Sequence, residues 1–149
     1  MTAEQDLARY ERATNDPNAV RFLAYDLADW RPIGRCSLND IDHRNHTAEF
    51  GVLVGDPADR GKGYGAEMAR MMLDYAFTAL GLHNVMLRVA AFNVAGMRAY
   101  EKAGFREFAR RRMAFRSGSR SWDDVYMECL ATEFESPWLA RILAPDAPR

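Results

Sequence analysis

Apolar and polar residues change their period several times along the chain, and each change marks an element. Leu7 and Tyr10 stand at helical spacing behind Thr2-Ala3-Glu4-Gln5, a capping-box pattern, and predict a short helix ending near Asn15-Asp16-Pro17. From Val20 the pattern turns β-rich. VRFLAY (20–25), IGRCSLNDI (33–41) and TAEFGVLV (47–54) are parted by turn residues at Asp26 to Pro32 and Asp42 to His46, which predicts an antiparallel meander. From Gly63 apolar residues recur at Ala69, Met72, Leu73, Ala76, Phe77 and Leu80, with Glu67, Arg70, Asp74 and Thr78 on the other face and Gly81 as a stop. That is an amphipathic helix. NVMLRVAAF (84–92) reads as a buried strand, Asn93 as an N-cap, and 94–103 as a second helix closed by Gly104. FREFARRRMAF and SWDDVYMECL follow as two strands around a turn from Arg116 to Arg120, then an apolar patch, PWLARIL, and a frayed end, APDAPR. The expected class is α/β with a mixed sheet, as one domain over 1–130 and a tail over 131–149.

Composition narrows the function classes. A length of 149 residues suits one domain with a workable core, and 48% hydrophobic with 28% charged residues is ordinary globular usage. A formal charge of −1 gives no reason to expect nucleic acid or an acidic membrane as partner. No apolar run reaches membrane-spanning length. Cys36 and Cys129 lie far apart, in no C-x-x-C spacing and with no secretory segment ahead of them, so reduced thiols in a cytoplasm are expected.

RGKGYGAEMARMM, from Arg60, places Gly61, Gly63 and Gly65 at alternate positions although the chain has only 10 glycines. Strand, glycine turn, helix, strand is the local grammar of a phosphate site, because a helix start offers unpaired N–H groups and about half a positive charge. No G-x-x-x-x-G-K-[ST] can be read across the stretch. Gly61, Gly63 and Ala66 satisfy G-x-G-x-x-A, yet the preceding strand ends near Gly55 and no acidic residue follows the next strand to hold a ribose. The alternative is a close helix–sheet contact that needs small residues.

Arg60, Gly63 and Gly65 also form R-x-x-G-x-G, and with them the sequence resembles the GNAT superfamily of acetyl-CoA-dependent N-acetyltransferases. The ordered set GVLVGDPADRGKGYGAEMARMMLDYAF, VMLRVAAFNVAGMRAYEKAGF and DDVYMECL is similar to the branch containing ribosomal-protein-alanine and polyamine acetyltransferases, over about residues 20–130. The resemblance implies a GNAT-like acyl-CoA N-acyltransferase fold in which acetyl-CoA lies where strands 47–54 and 84–92 splay apart. It implies pantetheine amides on Leu53 and Val54, and a pyrophosphate on the loop Arg60, Gly61, Lys62, Gly63, Tyr64 and Gly65, with the two basic side chains adding charge.

Acetyl transfer to an amine needs a neutral nucleophile, a stabilised oxyanion and a protonated leaving thiol. Glu49 is the candidate base, because alternation sets its carboxylate on an otherwise apolar strand; an ion pair at the strand's solvated end is the equal alternative. Tyr100 matches the family's general-acid tyrosine by its distance from Asn93 and from Gly104-Phe105, against the alternative of a core aromatic beside Met97. Asn93 caps its helix, and the resemblance adds a hydrogen bond to the cofactor. His43 and His46, near Asp40 and Asp42, read as a polar hairpin loop and carry no metal assignment. Arg110, Arg111 and Arg112 read as a solvated strand, since alternation parts neighbouring side chains.

Relatives in the family begin with a strand and a helix for which the 19 residues before Val20 leave no room, so a shortened N-terminus is expected. Those elements help to wall the acceptor pocket. The acceptor is left as an amine of a protein N-terminus, a polyamine or another small molecule. A homodimer covering the bare surface is expected. The rival reading is a non-catalytic acyl-CoA-binding or regulatory module.

Overall fold

The computed structural model describes residues 2–144, and within the first helix nothing of the side chains of Ala3, Asp6, Arg9, Tyr10 and Ala13. The expected fraying beyond Ala144, and the packing of Tyr10, lie outside the described residues.

Helix α1 (Ala3–Thr14) opens on the capping box read from the sequence: Thr2 Oγ1 accepts from the Gln5 amide and the Gln5 side chain accepts from the Thr2 amide. Strands β1 (Val20–Tyr25), β2 (Pro32–Asp42) and β3 (Thr47–Val54) form the antiparallel meander. Helix α2 (Tyr64–Asp74) continues into a wider turn over Tyr75–Ala79, then β4 (Asn84–Ala90), α3 (Val94–Ala103), β5 (Arg106–Ser117), β6 (Arg120–Leu130) and a short α4 (Leu139–Leu143) complete the chain. Six strands make one sheet in the order β1-β2-β3-β4-β6-β5. Among the described residues only β3 and β4 are parallel neighbours; the other pairs are antiparallel.

Alternation explains which side is core. Ala48 and Phe50 on β3, Val85, Leu87 and Val89 on β4, and Val125, Met127 and Cys129 on β6 are buried against Ala69, Met72 and Leu73 of α2, against Ala76 of the wider turn that follows it, and against Phe105. Each such Leu, Val or Phe contributes about 1.5–3 kcal/mol on burial. In β2 the buried phase shifts from Cys36 and Leu38 to Ile41, and the register slips between Asn39 and Asp42 where Asp40 takes a φ of 49°. A bulge there re-aims the chain into the Asp42–His46 turn.

Three expectations are corrected. The strand predicted over 84–92 stops at Ala90: the Ala91 amide still bonds its register partner, the Asp123 carbonyl, but the Asn93 amide turns back to the Ala90 carbonyl at 2.9 Å and Asn93 begins the next cap. The α2 periodicity runs on to Leu80, but the last turn widens: the Leu80 amide reaches the Tyr75 carbonyl five residues back. Asp74, expected on the solvated face, is fully buried. Its Oδ1 accepts from Thr78 Oγ1 at 2.9 Å and Ser136 Oγ at 2.5 Å, and its Oδ2 from the amides of Trp138 at 3.1 Å and Leu139 at 2.8 Å. Burial pushes this carboxyl up, yet the hydrogen bonds from Ser136, Leu139, Thr78 and Trp138 outweigh it and hold it below the ordinary range. The segment after β6 is thereby fastened to α2. No helix among the described residues is long and apolar enough to cross a membrane.

Candidate active site

Strands β3 and β4 pair only through Thr47–Asn84, Ala48–Val85 and Glu49–Met86. Beyond these rungs each keeps its outer partner and loses the other, so the sheet parts between their C-terminal ends. A cleft of about 540 Å³ occupies the opening. Val52, Leu53 and Val54 line one wall, the loop from Asp59 to Ala66 one end, and Phe92, Asn93, Gly96 and Tyr100 the other wall. The carboxyl ends of parallel strands are where open α/β sheets place ligands.

The glycine loop is built around its backbone. Gly61 and Gly63 have φ of 77° and 87°, a left-handed conformation that other residues adopt at a cost. A Cβ added at Gly61, Gly63 or Gly65 would meet nothing within 4 Å. Close helix–sheet packing therefore does not account for any of the three. Gly63 caps α2 without a side chain, and the first intrahelical bond runs from the Glu67 amide to the Gly63 carbonyl at 3.1 Å. The amides of Tyr64, Gly65 and Ala66 stand ahead of it with no acceptor in the helix, and the helix dipole adds positive potential there. The Arg60 amide, by contrast, is held by the Pro57 carbonyl at 3.2 Å, which leaves Arg60 its exposed guanidinium for a ligand.

Two contacts from the β1–β2 connection secure this loop. Asp59, 2% exposed, accepts a fork from Arg31: Nη1 to Oδ2 at 2.6 Å and Nη2 to Oδ1 at 2.9 Å. Lys62 Nζ lies 3.6 Å from Asp59 Oδ1 and outside the cleft lining. The Tyr64 hydroxyl donates to Asp26 Oδ2 at 2.6 Å, which raises the phenol's pKa and lowers that of the carboxyl.

Asn93 Oδ1 accepts from the Gly96 amide at 2.9 Å, and a Cβ at Gly96 would lie 2.5 Å from Asn93 Nδ2. Glycine at 96 thus makes room for the cap, and Asn93 lines the cleft with its amide nitrogen in no hydrogen bond among the described residues. Tyr100 packs edge-on to Phe50 at 6.2 Å and to Phe105 at 6.2 Å, so it is partly a core aromatic, as well as lining the cleft. Its hydroxyl has no hydrogen-bond partner among the described residues and is not sealed from solvent. Burial of the ring raises the phenol's pKa above its ordinary 10.0.

Glu49 stands apart. It sits on the last shared rung, on the sheet face opposite Ala48 and Phe50, and does not line the cleft. Its Oε1 accepts from Arg88 Nε at 2.8 Å. The structure thus brings Leu53, Val54, Arg60, Gly61, Gly63, Tyr64, Gly65, Asn93 and Tyr100 to one cleft and leaves Lys62 and Glu49 at its margins. Sequence reasoning missed Arg31, Asp59 and Asp26, whose only local signal is the i,i+3 spacing of Asp59 and Lys62. The Asp42–His46 turn is held by Asp42 accepting from the Arg44 and Asn45 amides, and among the described residues no group of three His, Cys, Asp or Glu side chains could hold a metal.

Comparison with known proteins follows the same lines. Residues 1–106 match the model of the acetyltransferase (GNAT) domain. The spermidine N(1)-acetyltransferase of Vibrio cholerae is 35% identical over 98 residues, which cover 66% of this chain and 56% of that one. The human alpha/beta-tubulin-N-acetyltransferase 9 is 26% identical, with 93% of this chain and 69% of that one covered. A crystal structure of the Vibrio cholerae spermidine N-acetyltransferase in complex with CoA and spermine has the same fold, with a TM-score of 0.81 at 28% identity over 89% of this chain and 78% of that one. The chain spans about half the length of the spermidine acetyltransferases of Vibrio cholerae and Escherichia coli that it matches.

Proposed function

The chain belongs to the GNAT acetyltransferase family, and from that membership we propose that it moves an acetyl group from acetyl-CoA to an amine. The observation that carries the reading is the open space at Gly61, Gly63 and Gly65: two left-handed glycines and a third with nothing near it leave bare amides at a helix start beside a cleft. Those residues fit a diphosphate, with the Arg60 and Lys62 cations near it. Leu53 and Val54, on a strand end with no neighbour on one side, offer backbone pairing to the amides of the pantetheine arm, and Asn93 Nδ2 offers a further donor.

When bound, acetyl-CoA supplies an activated thioester. Tyr100, protonated throughout the neutral range because burial raises its pKa, holds a proton at its hydroxyl for the departing sulfur. Glu49, on the far face at the point where the strands part, takes the proton of an ammonium acceptor through water. An alkylamine of pKa about 10 is mostly cationic at neutral pH, so this step is needed before attack. The acceptor that the comparisons favour is a polyamine, since the relative matched over 66% of the chain acts on spermidine; a protein N-terminus or another small amine is the other class. The catalytic unit is taken as residues 1–130 with 131–149 as a tail. It is assigned to the cytoplasm, consistent with two free thiols whose pKa values burial pushes up to about 11. A homodimer is proposed because β5 runs along the sheet edge exposed over its whole length, with Phe108, Met113 and Phe115 outward.

One observation favours the rival, a non-catalytic acyl-CoA-binding module: Glu49 is already engaged by Arg88. An amine screen with acetyl-CoA that follows thiol release separates the two. Turnover with any amine supports the enzyme; a thermal shift with acetyl-CoA and no thiol release with polyamines, small amines or N-terminal peptides selects the rival; neither effect overturns both.

A further inference from the structure

A carboxylate at the mouth of a diphosphate site is out of place. Asp59 is that carboxylate: it lines the cleft, immediately precedes Arg60 and has a side chain only 1% exposed. Left alone it would repel an anionic ligand and would itself be costly to bury charged. Arg31, 28 residues away in the chain, meets both its oxygens in a planar fork, the geometry that guanidinium offers and ammonium does not.

The Arg31 segment is itself a closed turn. The Asp26 amide donates to the Arg31 carbonyl at 2.9 Å, the Trp30 amide to the Asp26 carbonyl at 2.8 Å, the Ala28 amide to Asp26 Oδ1 at 2.8 Å and the Arg31 amide to Asp29 Oδ1 at 3.0 Å. From this turn Arg31 grips Asp59 at one end of the glycine loop, and Asp26 receives the Tyr64 hydroxyl at the other. Residues 60–63 hang between two fixed points. Gly61 and Gly63 give the loop the backbone freedom its conformation needs, and that freedom must be lost before the amides can converge on a ligand.

We infer that Arg31 is a positioning residue for acyl-CoA binding: it masks the charge of Asp59 and, with the Asp26–Tyr64 contact, holds the glycine loop in its binding conformation. The inference rests on the proposed acetyl-CoA reading of the cleft. The directions of titration agree with it: the hydrogen bond from Arg31 is the largest influence on Asp59 and holds its carboxyl below the ordinary range against burial, with Lys62 assisting.

The test compares the parent with Arg31→Gln, Asp59→Asn and the double variant, measuring CoA dissociation constants by calorimetry, steady-state kinetics with an amine found by the screen, and melting temperature. Arg31→Gln is expected to weaken CoA by at least ~10-fold and to raise KM for acetyl-CoA in parallel, while kcat at saturation stays within about two-fold. Adding Asp59→Asn to it removes the unmasked charge and should recover at least half of the logarithmic loss. A purely structural role predicts the opposite, further loss in the double variant. The inference is overturned if Arg31→Gln binds CoA like the parent, or if the double variant binds no better than Arg31→Gln. A parent that does not bind CoA at all would instead remove the functional reading, and is seen before any variant is made.

Discussion

The Glu49 carboxylate and the Arg88 guanidinium join β3 to β4 on the face away from α2 and α3, Oε1 to Nε at 2.8 Å, from the last shared rung on β3 to a residue just beyond it on β4. The pair spans the place where the sheet opens, with the Glu49 side chain 24% and that of Arg88 53% exposed. Exposed pairs of this kind contribute at most about 1 kcal/mol, so stability and chemistry can be told apart. Glu49→Gln should lower kcat by about 10²–10⁴-fold if Glu49 is the base, with the melting temperature moving by only a few degrees. A variant that melts a little lower and turns over normally would leave Glu49 as an ion-pair partner alone.

Tyr100→Phe keeps the ring against Phe50 and Phe105 and deletes the proton donor. Turnover should fall at least ~10-fold while CoA affinity and melting temperature hardly change. The pH dependence has a definite sign. Burial raises the phenol's pKa above 10.0, the active form is the protonated one, and so Tyr100 imposes a loss of kcat only as pH rises past that range. Single-turnover rates for the phenylalanine variant should lack that alkaline limb; an unchanged limb would take Tyr100 out of the proton transfer.

Gly65 is the cleanest place to block the cleft. Unlike Gly61 and Gly63 it does not have a left-handed φ, and a Cβ there meets nothing within 4 Å. Gly65→Val should therefore melt no lower than the parent, since even a β-branched residue is a better helix former than glycine, yet lose most of the stabilisation that saturating acetyl-CoA gives by mass action. Gly63→Val, at φ 87°, should lose both binding and stability. Thermal shift with and without ligand reads both, and full ligand stabilisation of the Gly65 variant would show that the diphosphate lies elsewhere.

Asp74 predicts an acid-sensitive attachment of the tail. Its folded pKa lies below the ordinary 3.8, so the stability it adds is complete above the unfolded value and is lost as pH falls through the folded one. Asp74→Asn turns one of the two acceptor oxygens into a donor and removes the charge from the hydrogen bonds that hold the tail, and should cost about 1–3 kcal/mol. Hydrogen exchange in 136–143 should rise in the asparagine variant at neutral pH, and in the parent only under strongly acid conditions. Equal protection in both would mean that the tail is held by Phe134 on Phe77 and Trp138 beneath Arg70 instead.

Local signals were readable and distant ones were not. The helix 94–103 is bounded as expected because Asn93 and Gly104 both act within a turn of its ends. The meander strands are bounded within a residue because alternation and turn residues agree there. The cleft was legible because its loop, cap and tyrosine follow in one ordered run. Asp74 was misplaced because, Thr78 apart, its partners lie 62 to 65 residues on, and a helical period cannot tell solvent from a tail that folds back. Arg31 and Asp59 were missed for the same reason. β5 shows no alternation to read, since its side chains are exposed on both faces and Met113 breaks the register at φ 52°.

The three shared rungs between β3 and β4 have a mechanical consequence. Two half-sheets of three strands each meet at a spine only three residues long, 47–49 against 84–86, and above it no strand pairing joins the leaves, which stand like an open book over one core. Width, and not only chemistry, then decides what the gap accepts. A guest that bonds both parted strands closes the covers, and the slowed exchange should extend down to the spine amides that it never touches.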